Sequence, residues 1–426
     1  MRILIATDAF PPRCGGSGWS TFELARGLRA RGHQVVVVQP RPGQPPAAPH
    51  EYEGFTVRQV PVFAPNVPFV RNYFKNERLY RTLAPVLQQI ISAEGIDLVH
   101  AQHVLTTPPS IIAAGAAGVP VVATVRDYWP VCYWSDLMYD RASDRLCPAC
   151  SPAMMTRCIR PRAPRAWPLA LPLIPYMVRN LSLKRRALAG ADAVIAVSSA
   201  IEQDLRQRAP ELSGTRIERI PNPVDCDALA AQADAGPAPM AGPYAIYVGK
   251  LAPNKGASKL VPAVSAARLP WPLVIVGDGP DRAAVERAAR ASGRDVRLAG
   301  WLPREDTLRW LRHASLVVFP SHGPESLSRV LLEASALGRP IAAMDTGGTR
   351  DIVVHGETGL LSKTVDRLAA DIARLAGDPE VARRFGEAAR RLVRDRFDAP
   401  RVVARIEAVY DAVRRDGPKG GRAGGL

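Results

Sequence analysis

Short runs of β-branched and aliphatic residues alternate along this chain with longer stretches whose apolar positions follow a helical period. A short, almost wholly apolar run suits a strand covered on both faces, and the longer pattern suits a helix with one buried stripe. Repeated in this order, they predict βαβ units and mainly parallel sheets, an α/β fold. In the first half, strands are predicted at Ile3–Thr7, Gln34–Val38, Phe55–Val60, Leu98–Ala101, Val119–Val125 and Ala193–Val197. In the second half they are predicted at Tyr244–Gly249, Leu273–Gly277, Val296–Ala299, Leu316–Pro320 and Ile341–Met344. Between the two sets, Ala228–Pro243 is rich in Ala, Gly and Pro without apolar periodicity and reads as a linker, so the domain boundary falls near residue 240. Helices are expected over Glu380–Arg396 and Arg401–Arg414, and the Gly-rich tail Gly417–Leu426 is expected to be disordered.

A length of 426 residues exceeds what one hydrophobic core usually supports, which agrees with two domains. Hydrophobic residues at 47% and charged residues at 23% exclude a disordered, fibrous or membrane-spanning chain. The net charge of +16 points to an anionic partner: nucleic acid, a lipid surface or a phosphorylated substrate. From Arg145 through Lys184-Arg185-Arg186 there are nine basic residues and no acidic one, around the apolar run Ala166–Val178. That run is too short to span a bilayer but suits a membrane interface; a Pro-rich surface loop with solvated arginines fits it as well. The N-terminal residues Met1–Asp8 enter a strand pattern directly and lack the apolar core of a signal peptide, which implies a cytoplasmic protein, peripheral at the inner membrane face on the first of those readings. The six cysteines are then reduced unless they hold a metal.

Ligands of open α/β sheets sit beyond the carboxyl ends of the strands, so the loops leaving those ends carry the candidate chemistry. The first, Phe10–Gly18, contains Gly15 and Gly16, whose amides can approach a phosphate at a helix start expected near Trp19. Its spacing is not the G-x-G-x-x-G of a dinucleotide fold, which counts against a dehydrogenase. After the first strand of the second sheet, Gly249-Lys250 and then Lys255 place two ammonium groups where the crevice opens; a diphosphate leaving group needs such charge, and solvated surface lysines are the plain alternative. Gly277 and Gly279 form a second glycine turn. Glu325 stands in the next loop and Glu333 eight residues on, about two turns inside a helix expected to start near Ser326, with Ser328 between them. Carboxylates so placed can accept hydrogen bonds from sugar hydroxyls and from a vicinal diol such as a ribose. Gly347-Gly348 completes the ring of loops.

A glycine-ending strand with a basic pair, Glu325-x7-Glu333 and Gly347-Gly348 together resemble the retaining family-four glycosyltransferases, and the likeness covers essentially the whole chain. The resemblance implies the GT-B architecture, two facing Rossmann-like domains with the active site between them and a C-terminal helix returning to the first. The expected organisation is an acceptor-side domain over 1–235 with a Cys-containing insertion at about 128–186, a donor-binding domain over 240–395, the returning helix over 396–416 and the tail over 417–426. It also implies a nucleotide-sugar donor. Gly15 and Gly16 would face the reaction centre, Lys250 and Lys255 hold the diphosphate, Glu325 the sugar and Glu333 the ribose. Gly249, Gly277, Gly279, Ser328, Gly347 and Gly348 would line the donor site, and Asn222 and Asp225 match the interdomain segment. Departure of the nucleoside diphosphate would be stabilised by Lys250, Lys255 and helix-end amides, with Glu325 beside them and no metal required.

Three positions depart from the family. Where it commonly has His-Asp this chain has Arg126-Asp127, which are taken as acceptor-side candidates. Lys250 stands for the usual Arg, a point charge for a bidentate fork, and Leu327-Ser328 replaces an aromatic-glycine pair. The cysteines Cys132, Cys147, Cys150 and Cys158 form C-x14-C-x2-C-x7-C, compatible with a structural zinc or iron-sulfur centre stapling the insertion and equally with four reduced thiols. A lipid-linked, glycan or small-molecule acceptor is open, and the basic-apolar segment favours a membrane-proximal one. Two rival classes are weighed: a nucleotide-sugar epimerase or phosphorylase of the same build, for which no acid-base pair or cofactor lysine stands out, and a nucleic-acid-binding protein. Nucleic acid is not expected, because aromatics are only 6% and none interleave the basic run in a recognised motif.

Overall fold

The structure, a computed structural model, describes residues 1–44, 48–67, 70–140, 145–163, 165 and 167–419. The first sheet contains β1 (Arg2–Ala6), β2 (Gln34–Pro42), β3 (His50–Tyr52), β4 (Phe55–Val62), β5 (Leu98–Ala101), β6 (Val121–Val125), β7 (Ala193–Ala196) and β8 (Ile217–Arg219). Their order is β3-β4-β2-β1-β5-β6-β7-β8, and every pairing is parallel except β3 with β4. The second sheet contains β9 (Ala245–Val248), β10 (Leu273–Val276), β11 (Val296–Gly300), β12 (Leu316–Phe319), β13 (Ile341–Met344) and β14 (Leu360–Ser362). It is parallel throughout, in the order β11-β10-β9-β12-β13-β14. In both sheets the order reverses beside the first strand, at β1 and at β9, which is where a doubly wound sheet opens a crevice. The continuous apolar runs were therefore sound strand signals: β5, β6 and β7 are buried at every position.

The last helix, Ala399–Asp416, returns to the first sheet. Its residues Val402, Val403, Ile406, Val409, Tyr410 and Val413 are buried with Ile3, Ile5, Phe22 and Leu24. Each such apolar side chain contributes roughly 1.5 kcal/mol or more on leaving water, enough to fasten the C-terminus to the N-terminal sheet. Tyr410 adds a polar anchor, its hydroxyl 2.6 Å from Nδ1 of buried His100.

The structure differs from the sequence reading at several places. Strands β3, β8 and β14 were not anticipated, being three residues each with no apolar run to signal them. The start of the expected linker is helical: Cys226–Ala233 forms a helix that overlaps it, because Asp225 caps the amide of Ala228 at 2.9 Å and Leu229 and Ala233 are buried with Leu308 and Leu311. The insertion is no bare loop: it holds helices Pro152–Ile159, Trp167–Ala170 and Ile174–Ala189 around a small core of Met155, Cys158, Ile159, Ala170 and Met177. Lys184, expected on a solvated basic surface, is only 5% exposed, and Arg185 donates to the Pro130 carbonyl at 2.7 Å. Of the Gly-rich tail, Lys419 donates its amide to Asp192 at 2.9 Å, and residues 420–426 lie outside the described residues. Among the described residues no helix is long and apolar enough to cross a membrane.

Candidate active site

Two adjoining cavities open between the sheets, of about 240 and 590 Å³, sharing Gly16, Gly249, Lys255 and Arg329 in their walls. The smaller is walled by Arg126, Asn222, Ser321, Glu325 and Ser328, the larger by Gly15, Lys250, Gly277, Trp301, Arg304 and Glu333. The basic pair and both glutamates predicted from sequence thus meet in one cleft.

Glu325 is 6% exposed, and its Oε1 accepts from Lys255 Nζ at 2.6 Å and from Ser321 Oγ at 2.5 Å. Its backbone is held too, the carbonyl accepting from the Gly348 amide at 2.7 Å and from the Tyr128 hydroxyl at 3.1 Å. Gly347 adopts φ +48, and a Cβ there would meet the Glu325 carbonyl at 2.2 Å. The Gly347-Gly348 turn is therefore a bare support for the Glu325 loop. Gly279 likewise lies behind the cleft, against the Leu251 carbonyl. Ser328 is the cap of helix Arg329–Ala336, accepting from the Leu331 amide at 3.4 Å.

That helix begins at Arg329, not near Ser326, because the capping serine is Ser328. Glu333 then lies one turn inside, on the face of Arg329. Its Oε1 accepts from Arg304 Nη1 at 2.6 Å and Arg329 Nε at 2.9 Å. Burial opposes the Glu333 charge, but Arg304 and Arg329 outweigh it and hold its pKa below the ordinary glutamate value. Arg304 also stacks 4.4 Å over the ring of Trp19, which belongs to the first domain.

On the acceptor side, Arg126 is buried and donates to Asn222 Oδ1 at 2.9 Å and to the Gln102 carbonyl at 3.3 Å. Burial lowers its pKa to about 9. Asp127 accepts from the Trp129 amide at 2.8 Å and is raised by burial to about 6. It lines neither cavity directly. Sequence reasoning missed Asp8, two residues past the end of β1, which burial pushes up to about 7; its carboxylate accepts from the Leu105 amide at 3.2 Å. It also gave no role to Arg304 or Arg329. A cation in the first turn of a helix opposes the dipole, and that anomaly at Arg329 was the available signal.

The four cysteines gather in the insertion. Each thiol feels the charge of at least one other, and a hydrogen bond with Cys132 lowers Cys150 to about 7. Cys147 Sγ donates to the Ala149 carbonyl at 3.2 Å and Cys158 Sγ to that of Met155 at 3.3 Å. Among the described residues no three His, Cys, Asp or Glu side chains stand in metal-holding geometry.

Residues 14–228 match the family model Glycosyltransferase Family 4, and residues 231–392 match Glycosyl transferases group 1. The chain belongs to glycosyltransferase family 4. It is similar to a glycogen synthase of Mycobacterium tuberculosis, 28% identical over 97% of this chain and 95% of that protein. A GDP-mannose-dependent alpha-mannosyltransferase of Mycolicibacterium smegmatis is also 28% identical, over 97% and 98%. Among solved structures, sucrose-phosphate synthase from Thermosynechococcus elongatus aligns with TM-score 0.69 at 21% identity, over 97% of this chain and 99% of that one. Anabaena HepE in complex with UDP-glucose aligns with TM-score 0.65 at 20% identity, over 97% and 100%. The fold of this family-four enzyme is GT-B, and its activity is glycosyl transfer.

Proposed function

We propose that this enzyme transfers a sugar from a nucleoside-diphosphate sugar, with retention of configuration and without a catalytic metal. The observation that carries this reading is the convergence of Lys250, Lys255, Glu325 and Glu333 on one cleft. Lys255, tied to Glu325, is held where negative charge develops on a departing diphosphate, and the start of helix Arg329–Ala336 lends its dipole. The GDP-mannose named for one relative and the UDP-glucose bound by one neighbour are donors of this class. Incubation with a panel of nucleotide sugars and a lipid and glycan extract should release nucleoside diphosphate, undiminished by EDTA, and yield an axial or equatorial glycoside matching the donor anomer. No release with any donor overturns the reading, inversion overturns retention, and abolition by EDTA overturns metal independence.

For the acceptor we propose a lipid-linked molecule at an anionic membrane surface. An apolar cavity of about 240 Å³ is walled by Asn72, Trp134, Ala170, Leu173, Tyr176 and Met177; Tyr73 (44%) and Leu169 (83%), next in the chain to two of these, are exposed, and Phe74 packs on both Tyr73 and the exposed Phe63 (72%). Arg162 lines it, and Arg71 and Arg160 are chain neighbours of its lining residues Asn72 and Ile159, which gives an apolar surface basic neighbours. Of the earlier basic triplet, Lys184 is buried and does not serve, while Arg186 is exposed. Flotation with vesicles containing phosphatidylglycerol should be lost in Phe63→Ser/Leu169→Ser; equal flotation overturns the membrane reading. For the thiol cluster we propose a structural metal, zinc or iron-sulfur, that would draw Cys147 and Cys158 off the carbonyls they now face.

A further inference from the structure

Arg329 is a buried cation with three anionic or carbonyl partners drawn from both domains. Its Nε reaches Glu333 Oε1 at 2.9 Å on its own helix, and its Nη1 reaches the Pro223 carbonyl at 2.8 Å. Its Nη2 crosses to Glu23 Oε1 at 3.1 Å, on the first helix of the other domain, Gly16–Ala30. Both side chains of that cross-domain pair are only 6% exposed. The approach is close by construction: a Cβ on Gly16 would meet Arg329 Cβ at 2.9 Å. Glu23 is itself steadied through Oε2 by Arg26 at 2.7 Å, and Arg26 continues to Asp225 at 2.8 Å. A second clasp lies alongside, where Arg304 donates to the same Glu333 oxygen and stacks on Trp19 of the first domain.

The charges explain what this arrangement does. Burial alone would push the Arg329 pKa down, and Glu333 and Glu23 together raise it above the ordinary value. One buried guanidinium is therefore shared by a carboxylate in each domain. Both guanidinium contacts to Glu333 fall on Oε1, and Glu333 lines the larger cavity. With Glu23 taking one edge of the fork, no contact among the described residues occupies Oε2 of Glu333, which can accept from a vicinal diol. If the domains part, Arg329 loses Glu23 and the Pro223 carbonyl and turns wholly to Glu333, competing with that diol.

We infer that Arg329 is a positioning residue that couples nucleotide recognition at Glu333 to closure of the domains through Glu23, a residue that lines neither cavity. The inference rests on the nucleotide-sugar reading and adds to it a residue of the acceptor-side domain that sets donor affinity. The probes are UDP, GDP and ADP, titrated calorimetrically into the wild type, Glu23→Gln, Glu333→Gln and the double variant. Glu23→Gln should weaken the tightest of them about tenfold, a usual coupling between linked sites. The double variant should bind no more weakly than Glu333→Gln alone, because the effect of Glu23 passes through Glu333. In turnover the loss should fall on the donor KM, with kcat at saturating donor far less affected; a merely structural role would lower melting temperature and kcat without that split. Should Glu23→Gln fail to fold, Arg329→Lys carries the same expectation, since it keeps the charge and loses the fork. Unchanged affinity in a folded variant, or additive losses in the double, overturns the inference alone. Failure of all three nucleotides to bind the wild type overturns the donor reading and this inference with it.

Discussion

Replacing Lys255 with Met removes the ammonium from the cleft and keeps most of its stem. That ammonium stands 2.6 Å from Glu325 Oε1, and 36% of the side chain is exposed. Two unit charges 4 Å apart attract by about 4 kcal/mol at the effective dielectric of a protein surface and by about 1 kcal/mol in bulk water. Partial exposure screens Lys255 towards the lower figure, so its pull on a departing diphosphate amounts to about 2 to 3 kcal/mol. In the chemical step that is about 30- to 150-fold in kcat. The substitution also leaves Glu325, 6% exposed, with Ser321 as its hydroxyl donor and no cation. Glu325→Gln should therefore lose activity as well, and Lys255→Met/Glu325→Gln less than the product of the two, since each acts through the other. The assay is the initial rate of nucleoside diphosphate release at saturating donor, with thermal melting to establish that each variant is folded. A folded Lys255→Met within threefold of the wild-type kcat would refute the placement of this ammonium against the leaving group.

Asp8→Asn tests the carboxyl that sequence reasoning missed. Its folded pKa, about 7, lies well above the ordinary aspartate value, so the folded state binds the extra proton, and this contribution is full below about pH 4 and lost as pH rises through about 7. Asp8→Asn should thus be more stable than the wild type at pH 8, by up to about 4 kcal/mol, and show no gain at pH 4; equal shifts at both would sink the assignment. For the cysteine cluster, elemental analysis of protein purified without chelator should find one equivalent of zinc, or of iron with sulfide, lost in Cys132→Ser/Cys150→Ser; a metal-free, fully active wild type overturns the metal proposal.

What the chain disclosed about itself divides by sequence distance. Leu98–Ala101 and Ile341–Met344 were readable to the residue, because a strand buried on both faces leaves an unbroken apolar run. His50-Glu51-Tyr52 leaves none: β3 is an edge strand, held by its antiparallel register with β4. The lysine pair and the two glutamates were legible as local motifs because the loops carrying them all leave the same end of one parallel sheet. The partners of those residues were not. Arg329 finds Glu23 across 306 positions, and Arg304 finds Glu333 across 29. A sequence displays each charge without naming its counter-charge. Lys184 shows the same limit in reverse, since a basic run reads as surface, yet Glu77 and Asp127 offset its burial and its pKa falls to about 8 under desolvation.

The contacts across the cleft and the contacts at its hinge are of different kinds, and the difference bears on turnover. Across the cleft the domains meet through polar side chains: Glu23 with Arg329, Tyr128 with the Glu325 carbonyl, and Asp351, which accepts from the amide and hydroxyl of Ser199 at 2.6 and 2.5 Å. The hydroxyl and amide contacts among these can exchange their partners for water at little net cost, as in a transient interface, whereas the buried Arg329 turns to Glu333 when Glu23 leaves. At the crossing back to the first domain the chain is held by backbone: the Val224 amide donates to the Phe397 carbonyl and the Ala399 amide to the Val224 carbonyl, both at 2.9 Å. Beyond it the apolar face of helix Ala399–Asp416 is buried in the first domain and cannot be rehydrated cheaply. Opening of the cleft is therefore expected to break the ionic and hydroxyl contacts while leaving the crossing intact. A bound nucleotide, by taking the free oxygen of Glu333, would then favour the closed arrangement in which Arg329 keeps both of its carboxylates.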